Sequence, residues 1–191
     1  MNCDVLVIGA GLMGCASALE LSKRGLRVVV AERNGAPGTE TTSKSGAIIR
    51  AHYGVPELVE MALEANKRFQ NFGELFGGDA GWNGCGYAVL VDKDDVATLN
   101  SNIKMHQNLG VEVELMAPAT FKELAPQVKT SDVALVAYEK NGGYASPALT
   151  TKSFFEGATK HGAQFQFDAP VVSAQARGDG LPLPHPFLMF P

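Results

Sequence analysis

The sequence predicts an α/β fold opened by a parallel βαβ unit, and three features between Asp4 and Glu32 carry that expectation. Val5, Leu6, Val7 and Ile8 form a short apolar run, as in a strand buried on both faces. Gly9, Gly11 and Gly14 follow as G-x-G-x-x-G where that strand hands over to a helix. A second apolar run, Leu26 to Ala31, ends in Glu32. In such a turn the first glycine permits a tight bend and the second lets a pyrophosphate approach the backbone. The third lets the helix pack close against the strand. A carboxylate at Glu32 can accept hydrogen bonds from both hydroxyls of an adenosine ribose. The unit reads as Rossmann-like and dinucleotide-binding; the alternative is a plain helix-packing turn followed by an unrelated surface glutamate.

The rest of the chain alternates helical and strand patterns. After Leu12 the positions Ala16, Leu19 and Leu21 share a helical pattern that Gly25 stops. A turn-rich linker, Arg33 to Glu40, leads into TTSKSGAIIRAHYG, Thr41 to Gly54. Its hydroxyl cluster resembles a helix N-terminus, where outward N–H groups bind anions, although an ordinary capped loop has the same composition. Pro56 opens an expected helix to about Phe76, with Leu58, Val59, Ala62, Leu63, Phe69 and Phe72 facing the core. Gly77 to Gly86 is a glycine-rich crossing that holds the single tryptophan, Trp82. Tyr87 to Val91 reads as a strand and Asp94 to Leu109 as a helix stopped by Gly110. Val111, Val113 and Leu115 alternate with Glu112 and Glu114, as in a half-buried strand. Phe121 to Leu124 is an expected short helix, Val133 to Tyr138 a strand, and Asn141 to Gly143 a turn. Ser146 then caps a helix that starts at Pro147, turns Leu149, Phe154 and Ala158 inward, and ends near Gly162. Ala163 to Phe167 and Val171 to Ala174 read as two further strands. From Arg177 onward, Pro182, Pro184, Pro186 and Pro191 break every period. That tail reads either as a polyproline ligand or as the end of a chain cut short.

Composition narrows the class. The 191 residues are 46% hydrophobic and 19% charged, ordinary for a soluble globular protein. A net charge of −4 argues against a nucleic-acid partner. No apolar run reaches membrane-spanning length, and no basic segment precedes a long apolar one at the N-terminus. Cys3, Cys15 and Cys85 are odd in number and form no metal or disulfide pattern, which suits a reducing cytoplasm. No metal site is expected.

Three segments together resemble the FAD-dependent amine oxidoreductases of the D-amino acid oxidase, glycine oxidase and sarcosine oxidase type. They are GAGLMG with Glu32-Arg33, TSKSGAIIRAHYG, and EKNGGYASP before a helix. The resemblance is nearest to the sarcosine oxidase beta subunits, where IIR and an aromatic follow the hydroxyl-rich turn. It spans Asp4 to Ala174. The resemblance implies FAD as cofactor, with Gly9, Ala10, Gly11, Leu12, Met13 and Gly14 facing the pyrophosphate. Glu32 would hold the adenosine ribose with Arg33 beside it. Ser43, Lys44 and Ser45 would contact the pyrophosphate and ribityl region, Gly46 and Ala47 would pass close to the flavin ring, and Val171 would lie against the adenine through its backbone. Arg50, with Tyr53, would anchor a substrate carboxylate; an arginine paired on the surface with Glu57 or Glu60 is the alternative.

The implied organisation is a FAD-binding domain interrupted by a sheet-based substrate domain. Residues 1–80 and 141–176 would form the two parts of the first, 81–140 part of the second, and 177–191 an irregular tail. Where relatives attach flavin through a histidine, this chain has Ser43 or Lys44, so attachment there is not expected. Ser146 replaces the aspartate usual before the proline. Family chains run well past this length, so the chain is expected to be incomplete, and by itself aggregation-prone and weak in FAD binding. The implied activity is oxidation of the C–N bond of a small amino or N-methyl amino acid, with a small amino-acid substrate and partner subunits as candidate partners. A non-catalytic nucleotide-binding fragment completed by another chain is the alternative. An NAD-linked dehydrogenase would explain the first motif but not TSKSGAIIR.

Overall fold

The alternation of short apolar runs with helical periods folds as the α/β order it predicts. A computed structural model describes residues 2–174; the Pro-rich segment lies outside them. In chain order the elements are β1 (Val5–Ile8), α1 (Leu12–Lys23), β2 (Val28–Ala31), a 3-10 turn (Thr41–Lys44), β3 (Ile48–Ile49), α2 (Pro56–Gln70), α3 (Phe72–Phe76) and β4 (Tyr87–Val91). Then follow α4 (Val96–Asn108), β5 (Val113–Met116), α5 (Pro118–Leu124), β6 (Leu135–Glu139), β7 (Gly143–Tyr144), α6 (Pro147–Lys160) and β8 (Gln164–Gln166). Among the described residues no helix is long and apolar enough to cross a membrane.

The chain divides into two units. The first takes residues up to Gly46, Phe72–Gly81, and the chain from Ser146 onward. Its sheet is parallel in the order β1-β2-β8, with Val5 beside Val28 and Val30 beside Phe165. All four residues of β2 are buried, which explains why its sequence is a continuous apolar run rather than an alternation. Helices α1 and α6 pack on each other through small residues: a Cβ on Gly157 would stand 3.2 Å from Leu19 Cδ1. Phe72, Phe76 and Phe154 form an aromatic cluster with ring centroids 5.1–5.2 Å apart, Phe76 and Phe154 meeting edge to face and the other pairs tilted.

The second unit takes residues 47–71 and 82–145. Its sheet is antiparallel in the order β4-β6-β5, and β3 pairs with β7 in a separate two-stranded ribbon. Ala51, Val59, Leu99, Ile103, Val111, Val113 and Ala137 form its core. Residues 47–71, which the resemblance assigns to the first unit, group here because Ala51 and Val59 join that core.

Several expectations need correcting. The helix from Pro56 is broken at Asn71, so its two pieces serve different units. Leu58 and Leu149, expected inward, are 45% and 40% exposed. The hydroxyl-rich segment is a four-residue 3-10 turn without a side-chain cap, not the start of an α-helix. Val171–Ala174 is not a strand and joins no ladder; an apolar run needs a neighbouring strand to become part of a sheet. Ser146 does cap α6, its Oγ accepting from the Leu149 N–H at 3.3 Å.

Candidate functional site

The C-terminal ends of β1 and β2 open into a cleft of about 510 Å³, the place where parallel α/β sheets bind ligands. Gly9, Gly11, Glu32, Arg33, Thr42 and Val171 are among its lining residues. The glycine spacing is a steric requirement. Gly9 has φ +97°, and its N–H donates to the Ala31 carbonyl at 2.8 Å. A Cβ on Gly14 would stand 1.9 Å from the Gly9 carbonyl oxygen, so only glycine lets α1 sit this close to the turn. Gly11 is the N-cap of α1 and has no side chain to offer. Thr42 Oγ1 takes its place, accepting from the Leu12 N–H at 3.1 Å. The positive end of the helix dipole thus faces a cleft walled by backbone and hydroxyl, suited to a pyrophosphate.

Glu32 is 7% exposed, and both of its oxygens are engaged. Oε2 accepts from the Ala10 N–H at 2.7 Å and Oε1 from the Asn34 N–H at 2.8 Å. Each carboxylate oxygen has a further lone pair, so two ribose hydroxyls can still be received. The same carboxylate ties the glycine turn to the end of β2, a role that spacing alone did not reveal. Arg33 and Lys44 both pair with Glu40, at 3.2 and 3.9 Å. Glu40 is held below the usual carboxylate range by the Asn34 amide, then by the Arg33 and Lys44 charges. The pairs are exposed and weak; Arg33 lines the cleft, whereas Lys44 is not among its lining residues. Cys15 donates to the Ala10 carbonyl at 3.4 Å. Burial, reinforced by the Glu32 charge, pushes its thiol up to about 12, so it is no nucleophile.

The hydroxyl-rich turn serves two cavities. Thr41 and Thr42, which sequence reasoning passed over, line the cleft. Ser43 and Ser45 line a second hollow of about 480 Å³ with Ser146 and Thr151 near the start of α6, and Gly38 borders both. The Ser43 hydroxyl donates to the Thr39 and Glu40 carbonyls. Leu12, Met13 and Gly46 belong to this same unit, with Met13 77% exposed at the first turn of α1. Ala47 begins the second unit with φ +45°, a left-handed conformation that costs a non-glycine residue on the order of 1–2 kcal/mol. Such strain concentrates at functional positions.

Arg50 and Tyr53 lie in the second unit. The Arg50 guanidinium carbon is 4.4 Å from the Tyr53 ring centroid and 5.3 Å from that of Tyr87, and Nη1 donates to the His52 carbonyl. Among the described residues neither Glu57 nor Glu60 pairs with it. His52 lies 4.8 Å from the ring of His106, edge to face. Burial, then the neighbouring His106 and Arg50, pull His52 down from 6.5 to about 4. The unfolded chain therefore binds more protons between those values, and stability falls as pH drops from about 6.5 to 4. After solvent screening the loss is on the order of 1–2 kcal/mol. Glu139, raised by burial, works in the opposite sense by taking up a proton more readily when folded. The difference between the chain and its His52→Gln variant isolates the histidine. Urea midpoints compared from pH 7 to 4.5 should fall less steeply for His52→Gln; parallel curves would show that His52 titrates normally.

Comparison with known proteins accords with this architecture. The model of the family described as FAD dependent oxidoreductase (DAO) matches residues 4–183. The chain is 26% identical over 180 residues to the monomeric sarcosine oxidase of Streptomyces avermitilis, which covers 93% of this chain and 46% of that one. It is 30% identical over 181 residues to the glycerol 3-phosphate dehydrogenase of Caloramator mitchellensis, covering 93% and 37% respectively. The crystal structure of L-proline dehydrogenase from P. horikoshii superposes with a TM-score of 0.84 at 27% identity, over 91% of this chain and 46% of that one. The chain thus spans between 37% and 46% of the length of these three relatives. The family's cofactor is FAD, and the turn of Gly9, Gly11 and Gly14 with the Glu32 carboxylate fits its pyrophosphate and ribose; the NAD alternative falls away. From its βαβ cleft to its last described strand, this chain belongs to the FAD dependent oxidoreductase family.

Proposed function

We propose that this chain carries the cofactor cleft and part of the substrate unit of an enzyme that oxidises the C–N bond of a small secondary or primary α-amino acid. The observation that carries the reading is Arg50, whose guanidinium carbon lies over the Tyr53 and Tyr87 rings and which forms no salt bridge among the described residues; the carboxylate whose charge it feels, Glu139, is buried and already holds the Ala51 N–H. A planar guanidinium of this kind offers a two-pronged grip to a carboxylate. The similar sarcosine oxidase and L-proline dehydrogenase are named for substrates that share an α-carboxylate beside a secondary amine. Gly9, Ala10, Gly11, Leu12, Met13 and Gly14 would receive the pyrophosphate of FAD, and Glu32 the ribose, with Arg33 beside it. Ser43, Lys44, Ser45, Gly46 and Ala47 would border its ribityl and ring portions, and Val171 its adenine.

Bound FAD supplies the acceptor for the two electrons that leave the amine as a hydride. The part of the chain is to bind and orient. Arg50 fixes the carboxylate, so the C–H bond to be broken is held in one direction, which is where positioning lowers a barrier.

The 30% identity to a glycerol 3-phosphate dehydrogenase favours a second reading, oxidation of a C–O bond in a phosphorylated alcohol, because arginine grips phosphate equally well. Anaerobic addition of sarcosine, L-proline, glycine or glycerol 3-phosphate to the FAD-loaded protein separates the two. Bleaching of the flavin absorbance by an amino acid is the expected result. Bleaching by glycerol 3-phosphate alone would replace the substrate class, and FAD uptake left unchanged by Glu32→Ala would overturn the assignment of the cleft.

A further inference from the structure

Arg50 stands beside two buried titratable side chains that the proposed reaction does not use, Glu139 and His106, 3% and 0% exposed. Both act on the backbone immediately after Arg50. The Glu139 carboxylate accepts the Ala51 N–H with both oxygens, at 2.8 and 3.0 Å, and also the Asn66 amide at 3.3 Å. His106 Nε2 lies 2.7 Å from the Tyr53 carbonyl oxygen. A carbonyl can only accept, so Nε2 is the donor, and Nδ1 has no hydrogen-bond partner among the described residues. Between these two anchors the His52 carbonyl receives the Arg50 guanidinium itself. Arg50 therefore folds back on a backbone whose N–H at Ala51 and C=O at Tyr53 are both held from outside the segment.

A buried carboxylate is a costly way to satisfy one N–H, and burial indeed pushes Glu139 above the usual carboxylate range. A strand partner would serve more cheaply, but β3 ends at Ile49. What the carboxylate adds is direction: two oxygens and the Asn66 amide fix Ala51 about one point. We propose that Glu139 and His106 are positioning residues for Arg50, clamping the backbone at Ala51 and Tyr53 so that the guanidinium stays against the Tyr53 and Tyr87 rings. The clamp gains its functional meaning from the reading of Arg50 as the substrate-carboxylate anchor, but it is tested without substrate.

The test is nuclear magnetic resonance of the chain labelled in arginine and histidine side chains, with the Arg50 signal identified by its loss in Arg50→Lys. In the unaltered chain Arg50 should show the ring-current shifts of a guanidinium over two tyrosines, and His106 should carry its hydrogen on Nε2. Glu139→Ala and His106→Leu should return the Arg50 signal to the position of an exposed arginine. Glu139→Gln and His106→Gln, which keep an acceptor and a donor in place, should preserve it. Should the first pair fail to fold, Glu139→Asp and His106→Asn decide instead, since they stay polar but shorten the reach or move the donor, and they should release Arg50. A merely structural role would lower stability in these variants and leave the Arg50 signal unmoved; that result, or His106 carrying its hydrogen on Nδ1, overturns the clamp. In FAD-loaded protein, released Arg50 should raise KM for the amino acid roughly tenfold or more with kcat little changed. Turnover of glycerol 3-phosphate instead of an amino acid would count against the proposed reaction, while the arginine signal would still decide the clamp.

Discussion

Glu32→Ala is expected to weaken FAD binding by tenfold or more and to destabilise the chain even when no cofactor is present. The first effect follows from charge-assisted bonds to two ribose hydroxyls, worth roughly 1.5–3 kcal/mol each at most, against about 1.4 kcal/mol per decade of affinity. The second comes from the protein alone. Removing the carboxylate strips the partner from the Ala10 N–H, in a residue with no exposed surface, and from the Asn34 N–H. Each unsatisfied donor costs about 1–3 kcal/mol where water cannot replace the acceptor. Ala10 sits between the glycines, so its release also loosens the turn that receives the pyrophosphate. Glu32→Gln should fall between, since its amide oxygen can accept one of the two N–H groups while its NH2 opposes the other. A flavin titration and a urea melt on the three proteins check both halves. Unchanged flavin affinity would place the ribose elsewhere, and an unchanged urea midpoint would mean the glycine turn does not depend on Glu32.

What the sequence made legible here was whatever physics acts locally. The glycine turn, the all-apolar β2, the Tyr87–Val91 strand and the Ser146–Pro147 helix start each follow from a constraint within a few residues. The belonging to FAD-binding oxidoreductases was equally visible, because three short motifs in the right order are hard to meet by accident. What escaped depends on partners far along the chain. Glu139 reaches Ala51 across 88 residues, and His106 reaches Tyr53 across 53. In sequence the first is the end of a strand and the second one position in an amphipathic helix. Thr42 escaped for a related reason: its neighbour Ser43 has the same chemistry, and only the fold decides which hydroxyl meets the Leu12 N–H. The break at Asn71 was hidden because the apolar spacing runs on through it; Phe69 and Phe72 keep i, i+3 spacing yet belong to different units. Val171–Ala174 failed as a strand because a short apolar run announces only that a segment could pair, not that an edge awaits it.

In the whole enzyme of which this chain is proposed to carry part, Arg50→Lys is expected to raise KM for amino-acid substrates by roughly tenfold to a hundredfold while FAD content stays the same. The charge survives the substitution, so any loss reports on shape. The arginine guanidinium sits over the Tyr53 and Tyr87 rings and can present two parallel N–H groups to a carboxylate. An ammonium at the end of a flexible chain keeps neither the planar contact nor the double grip, and it trades a fixed direction for a point charge. The geometry also sets what should not change. Arg50 is not among the residues that line the cleft suited to FAD, so cofactor uptake has no reason to respond. Stability should shift little, because the arginine makes no salt bridge among the described residues and its own hydrogen bond goes to the next-but-one carbonyl. Glycerol 3-phosphate supplies the control: if the lysine variant loses that compound and keeps sarcosine, the arginine reads phosphate and the substrate class is wrong. Should FAD be lost while KM holds, Arg50 is a cofactor residue, and the carboxylate must be gripped by another group.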